Sequence, residues 1–176
     1  MRRHSADERR RLVIEAASQE FAAFGLYGAT GEGISYRAGI SHPYLLRLFG
    51  SKKDLFRAVI DSAFHDLEAA VAEGVNGGTP NPSAAAVEQA IQQTLDQGQR
   101  SALLLQFIAA CGDDEVRPIV RRRLAELYDQ LARLSGTDEA ELRALFARVI
   151  LGSATAAMRL PEIASREPWA RRLLEP

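Results

Sequence analysis

An all-α fold is predicted by three observations. Apolar residues recur at steps of three and four along nearly the whole chain, no stretch alternates apolar and polar residues long enough to require a strand, and helix-starting and helix-stopping residues punctuate the pattern at regular distances. With 176 residues and 47% hydrophobic content, the chain is long enough for one substantial core or two modest ones sharing a helix.

The first helix opens at Ser5-Ala6-Asp7-Glu8, a capping box in which the Ser5 hydroxyl accepts from the amide of residue 8 and Glu8 reaches back. Its apolar face is Leu12, Val13, Ala16, Ala17, Phe21 and Phe24, and Gly25 stops it. Residues 26–29 cross to a second, short helix that starts at Thr30 and ends near Arg37. Gly31 and Gly33 predict a loose start for it. Ala38-Gly39-Ile40-Ser41 forms a tight interhelical turn with Ser41 as N-cap, and Pro43 falls in the first turn of a third helix, where a missing amide costs nothing. Ser51 and Asp54 cap a long fourth helix carrying Leu55, Phe56, Val59, Ile60, Ala63, Phe64, Leu67 and Val71. The Gly- and Pro-rich stretch 74–82 reads as a surface loop. Four helices follow over roughly 83–97, 100–112, 114–134 and 138–158, with Ser83 and Thr137 as caps and Gly112 and Gly136 as stops. A short last helix spans about 162–174 and contains Trp169.

The expected architecture is thus an N-terminal three-helix helix-turn-helix domain (1–57), joined by a long linking helix to a C-terminal helical bundle (58–176). Charge divides the chain at the same place. Residues 1–57 carry ten Lys and Arg against six Asp and Glu, whereas the remainder carries 12 against 17. A basic segment attached to an acidic one suits a polyanion-binding module with a second domain of different purpose, although solvated surface charge gives the same split. The lone Cys111 excludes an intrachain disulfide, and with no secretory pattern at the start a cytoplasmic setting is expected. No apolar run reaches the ~20 residues of a membrane span, so no membrane partner is expected.

Catalysis is not expected. The three histidines, at 4, 42 and 65, have no metal-ligand spacing with one another or with Cys111, and no metal or cofactor is implied. Residues 28–33 resemble a phosphate-cradling loop only superficially, because no strand precedes them and no lysine follows at the required distance.

Residues 42–49, placed on a helical wheel, turn Leu45, Leu48 and Phe49 inward and Pro43 and Arg47 outward, with Tyr44 and Leu46 on the flanks and His42 near the exposed N-terminal end. Such an outward face is poorly explained by solubility and better by DNA. Arg47 has a donor fork suited to guanine or to a phosphate, Tyr44 can meet a phosphate or a thymine methyl, and His42 a phosphate or base. Thr30 and Lys52, at helix N-termini, are positioned for phosphate. Each has a plainer reading: a cap for Thr30, solvated charge for Lys52, packing for Tyr44, an exposed first-turn residue for His42.

Gly28-Ala29-Thr30, Ile34, Arg37-Ala38-Gly39-Ile40-Ser41, Leu45, Phe49 and Ser51-Lys52-Lys53-Asp54-Leu55-Phe56 resemble the TetR-family signature, over residues 5–65. The resemblance implies a dimeric bacterial regulator, usually a repressor released by ligand, with recognition helix 41–48. Double-stranded DNA, a second copy of the chain and a small-molecule effector are the implied partners. Two departures stand out: Leu46 occupies a position often held by tyrosine, and Tyr44 one often held by a small residue. The candidate DNA contacts are Thr30, Arg37, Ser41, His42, Pro43, Tyr44, Arg47 and Lys52.

The C-terminal part resembles the family only in helix number and length. The helix at 138–158 is too apolar all round to sit exposed on a monomer, so it either meets its own copy or is buried within its subunit. Phe146, Val149, Ile150, Ala154, Ala157 and Met158 are the candidate dimer contacts. An effector cavity between the linking helix and residues 100–134 would be lined by Phe64, Leu67, Leu104, Phe107, Ile108, Cys111 and Tyr128, residues that ordinary core packing explains equally well. The competing reading is a helical ligand-binding or protein-interaction module whose DNA affinity has been lost.

Overall fold

The computed structural model describes residues 6–76, 84–95, 98–135 and 138–174. Among them the regular structure is helical: α1 (Ala6–Gly28), α2 (Gly31–Ala38), α3 (His42–Phe49), α4 (Lys52–Asn76), α5 (Ala84–Leu95), α6 (Gln99–Ala109), α7 (Arg117–Ser135), α8 (Glu139–Ala157) and α9 (Pro168–Leu174). The expected all-α fold is therefore the observed one.

Turn chemistry explains the N-terminal boundaries. Gly25 adopts φ 66° and ψ −176°, a region open essentially to glycine, and breaks α1, after which one further turn carries the chain to Gly28. Thr30 caps α2 by accepting from the Gly33 amide at 3.0 Å, and Gly39, at φ 63°, closes it in the left-handed conformation. Pro43 sits in the first turn of α3. Ser41 holds the N-cap position, yet its hydroxyl caps nothing, and the amides of Tyr44 and Leu45 are satisfied by its carbonyl instead. At the start of α4, Ser51 accepts from the Asp54 amide at 3.0 Å while donating its hydroxyl to the Asp54 carboxylate at 2.6 Å.

Several expected boundaries shift. The helix of residue 52 onward continues to Asn76, past the predicted loop start at 74. Asp138 caps α8, accepting from the Glu141 amide. The caps expected at Ser5, Ser83 and Thr137 and the stop at Gly136 lie outside the described residues. Before α7, Asp113 gathers the amides of Glu115 and Val116 and delays the helix to Arg117. The last helix is shorter than predicted: a single tight turn at Leu160–Glu162 follows a left-handed Arg159 (φ 55°), and α9 begins only at Pro168. Arg159 is paired with Glu162 at 2.6 Å across this exposed turn.

α1 packs against α2, α4 and α6; α4 packs against α3, α5 and α7; α8 rests on α5 and α6. The core is continuous from one end to the other, running from Val13, Phe21 and Ile34 through Phe56, Ile60 and Phe107 to Leu131 and Leu145. Leu12 and Phe24, expected on the buried face of α1, are 46% and 54% exposed. Leu12 lies off the Val13–Ala17–Phe21 stripe, and beyond the break at Gly25 the core contact passes to Leu26 and Ala29.

Candidate nucleic-acid interface and effector cleft

The helix-turn-helix is braced from beneath by α1. Arg10 donates to the Leu48 carbonyl at 3.0 Å and lies 4.3 Å from the centroid of Phe49, placing a cation at the C-terminal end of α3 where the helix dipole favours it. Arg9 donates to the Tyr44 hydroxyl at 3.4 Å, and the Arg47 guanidinium stands 5.2 Å from the same ring. Tyr44, half-buried, is thus flanked by two guanidiniums, and its phenolic O–H is left free to donate outward. Leu45 and Phe49 are buried, Leu48 is half-buried, and Pro43, Leu46 and Arg47 face solvent. Leu46 is 41% exposed.

Other expected contacts are already engaged within the protein. Arg37 Nε donates to Glu20 Oε2 at 2.7 Å, and the Glu20 side chain is only 8% exposed. Lys52 Nζ donates to the Ala29 carbonyl at 2.8 Å and, more weakly, to that of Tyr27, tying the start of α4 to the α1–α2 junction. His42 Nδ1 lies 3.1 Å from Glu32 Oε1, and its Nε2 occupies the space a Cβ at Gly31 would need. Both ring nitrogens therefore face α2, so that His42, a candidate DNA contact, also braces α3 against α2.

α2 is helical from Gly31 onward, and Gly33 makes room for the buried Glu20 carboxylate as Gly31 does for the half-buried His42 ring, so the two glycines let polar side chains of other helices lie against it. Arg9 and Arg10 are missed by sequence reasoning, as is Tyr36, which is 89% exposed on α2. Three consecutive arginines at 9–11 are a visible signal, but only the fold shows which of them reach α3.

A cleft of about 540 Å³ opens between α1, α4 and the α5–α6 junction. Of the expected effector residues, Phe64, Leu67, Leu104 and Phe107 line it, whereas Ile108, Cys111 and Tyr128 do not. Ile108 is 39% exposed, Cys111 donates its thiol to the Phe107 carbonyl, and Tyr128 packs on Phe146 with ring centroids 5.3 Å apart. The side of α4 facing α7 is closed by Arg123, which reaches Glu68 at 3.2 Å and lies over Phe64, and by Gln130, which donates to the Glu68 carbonyl. The open side is the one toward α1.

A charge cluster joins the start of α4 to the segment between α6 and α7. Lys53 reaches Asp113 and Glu115, each at 2.9 Å, and Arg57 reaches Glu115 at 2.6 Å and Asp54 at 3.2 Å. Hydrogen bonds from Lys53 hold both carboxyls below their ordinary range, and those same bonds, to Asp113 first and Glu115 second, push the Lys53 ammonium above its own.

On α8, the expected dimer residues divide. Phe146 and Val149 pack against the core, while Ile150 and Met158 are 36% and 57% exposed. With Ala147, Leu151 and the half-buried Ala154 they form one apolar stripe, and Ala157 lies half-buried beside it. On α9, Trp169, Leu173 and Leu174 add exposed apolar surface that sequence reasoning missed. Among the described residues, no helix is long and apolar enough to cross a membrane, and no three His, Cys, Asp or Glu side chains group as metal ligands would.

Residues 13–59 match the sequence profile of the bacterial regulatory proteins of the tetR family. Over 75 residues the chain is 37% identical to the HTH-type transcriptional activator FasR of Mycolicibacterium smegmatis, a match covering 43% of this chain and 34% of that protein. The matched stretch thus spans about a third of the length of that relative. Among solved structures, a transcriptional regulator from Rhodococcus sp. Rha1 superposes with a TM-score of 0.71 at 22% identity, covering 88% of this chain and 86% of the other. A tetR-family regulator from Streptomyces coelicolor gives 0.64 at 20% identity, with 97% and 77% covered.

Proposed function

We propose that this chain is a transcriptional regulator of the TetR type that binds a specific, roughly palindromic operator as a cytoplasmic homodimer and is released from it by a small molecule. The observation that carries this reading is α3 itself. Its outward face of Pro43, Leu46 and Arg47, beside a Tyr44 flanked by two guanidiniums, is backed on the inside by Arg10 and a complete core. A surface helix that spends an apolar core, a stacked tyrosine and three arginines on its orientation is built to present side chains to a groove.

In this reading residues 1–57 enter the DNA and residues 58–176 hold the partner and, together with α1, the effector. Arg47 reads a base, and Tyr44, Ser41 and Thr30 donate hydroxyls to phosphate. The Ser41 hydroxyl, which caps nothing, and the Thr30 hydroxyl, whose hydrogen is free while its oxygen caps α2, support those roles. Pro43 packs on the groove wall. His42 serves chiefly to brace α3 against α2, Arg37 to tie α2 to α1, and Lys52 to tie the start of α4 to the α1–α2 junction while adding positive potential beside the backbone. The α8 stripe, centred on Ile150, Ala154 and Met158 and flanked by Phe146, Val149 and Ala157, meets its copy across a two-fold axis. That symmetry places two recognition helices about one DNA turn, ~34–36 Å, apart. A ligand that favours a different spacing shifts the equilibrium away from DNA, because only differential affinity can do so. Repression follows where the operator overlaps the promoter. The relative named an activator uses the same kind of head, so operator position decides the sign.

Fluorescence-anisotropy titration of duplexes from the DNA flanking the gene, across a salt series, tests this reading. The expected result is a steep salt slope, with Arg47→Ala costing about 1–3 kcal/mol and relaxing sequence preference. Absence of binding at low salt to those duplexes and to duplexes selected from a randomised pool would leave a ligand-binding module without DNA function.

A further inference from the structure

We propose that the cleft between α1, α4 and the α5–α6 junction binds a small molecule with a slender apolar body and a head group carrying both charge signs, and that its occupancy is read by the recognition helix through α1. The second half of this proposal rests on the regulator reading above; the first half does not.

The shape argument comes first. Protein interiors leave few voids larger than a water molecule, and the aromatic core beside the cleft is fully assembled: Phe56 and Phe107 meet edge to face at 5.6 Å, and Phe64 stacks on Phe107 at 6.3 Å. Packing is nonetheless suspended over about 540 Å³, within the range of small-molecule sites. The floor is apolar, formed by Ile14, Phe64, Leu67, Leu103, Leu104 and Phe107.

Charge at the rim selects the head group. Arg11 and Arg100 supply two cations, and Glu15 and Asp66 two anions. Arg11, Glu15 and Asp66 form no hydrogen bond or ion pair among the described residues, and Arg100 makes one long bond of 3.5 Å, to the Thr94 carbonyl. An anionic head would meet two carboxylates and a cationic head two guanidiniums, whereas a head bearing both signs answers both sets. Gln19 and Gln99, also at the rim, add neutral donors and acceptors.

The route to DNA is short. Arg11 and Ile14, in the cleft wall, lie on the same helical turn as Arg10, which clamps the Leu48 carbonyl and covers Phe49. A ligand that displaces this wall moves the clamp with it, without first moving α4.

Enhancement of anilinonaphthalene sulfonate fluorescence by the full chain reports occupancy, and its displacement by decyl amphiphiles below their micellar thresholds reports the head group. Decylphosphocholine is expected to displace the dye at ~10-fold lower concentration than decanoate, decylamine or decanol, a difference of about 1.4 kcal/mol. Ala63→Trp, which fills the cleft, should abolish displacement. Arg100→Glu, an exposed rim change that leaves the helical circular dichroism intact, should shift preference toward decylamine by ~5-fold or more. No dye enhancement, equal displacement by all four heads, or an order unchanged in Arg100→Glu would overturn the site. With a duplex that the protein itself selects from a randomised pool, decylphosphocholine should weaken DNA binding by ~5-fold or more, and Arg10→Ala should blunt that response. An unblunted response overturns the α1 route. DNA binding without dye binding defeats this proposal and spares the regulator reading; dye binding with the stated head-group order but no selectable duplex defeats the regulator reading and spares the site.

Discussion

Glu20 and Arg37 are joined by a 2.7 Å charge-assisted hydrogen bond in which the carboxylate is almost wholly enclosed and the arginine is 41% exposed. Seventeen residues separate the two in sequence, and the bond fastens α2 along the inner face of α1. Truncating the arginine leaves a buried carboxylate without its partner, which is the costly way to break such a pair. Arg37→Ala is expected to lower unfolding free energy by about 1–3 kcal/mol, the partial exposure of Arg37 keeping the loss below that of a fully buried pair. Urea denaturation of Arg37→Ala, Glu20→Gln and the double variant measures this, and the double variant should recover part of the loss.

The Gly31 and His42 pair gives a second prediction. A methyl at position 31 collides with the imidazole that now lies against it, so Gly31→Ala must expel the His42 ring from its seat and break the brace between α2 and α3. DNA affinity in Gly31→Ala should fall ~5-fold or more, and the same substitution in a His42→Ala background should cost much less. Equal losses in both backgrounds would mean that His42 does not set the α2–α3 spacing.

A third prediction concerns pH. The depressed Asp113 and Glu115 carboxyls contribute stability above their unfolded values, lost as pH falls through the folded ones. The raised Lys53 contributes stability below its unfolded value, lost as pH rises through the folded one. The cluster therefore stabilises the native state between about pH 5 and pH 10. Lys53→Met should lower the melting temperature at pH 7, with the difference from wild type shrinking as pH falls through the depressed carboxyl values and in 1 M salt. A deficit that persists in acid would trace to lost packing of the lysine stem.

The α8 stripe yields a fourth. Ile150→Glu places a charge in the middle of an apolar surface, so sedimentation velocity should show a monomer where the wild type shows a two-chain species. Because Ile150 is already 36% exposed, the monomer should keep its helical circular dichroism. A wild type that sediments as a monomer at micromolar concentration would refute dimerisation through this face.

Legibility followed the range of the interactions involved. Thr30, Gly39 and Pro43 act on neighbours within a few residues, and each does in the structure what its chemistry announced. Gly31 and Gly33 looked like weak points because their partners, His42 and Glu20, come from other helices. For the same reason Leu48 gave no hint of Arg10, 38 residues away. Four of the seven effector candidates, Phe64, Leu67, Leu104 and Phe107, line the cleft because they share the inner faces of α4 and α6. Ile108, Cys111 and Tyr128 lie outside it because periodicity says which residues turn inward and not which neighbour they meet, and Arg123 holds α7 against α4.

Phe21, Phe56 and Phe107 meet edge to face across three helices, at 4.8 and 5.6 Å, and this file crosses the point where a DNA-reading head would be separated from its body. The head is therefore not a detachable cassette. Residues 1–57 grafted onto a foreign dimeriser would carry Phe21 and Phe56 without their lid, and such a chimera should aggregate. One that also brings α6, and with it Phe107 and the Gln106 side chain seated against Gly25, should remain dispersed.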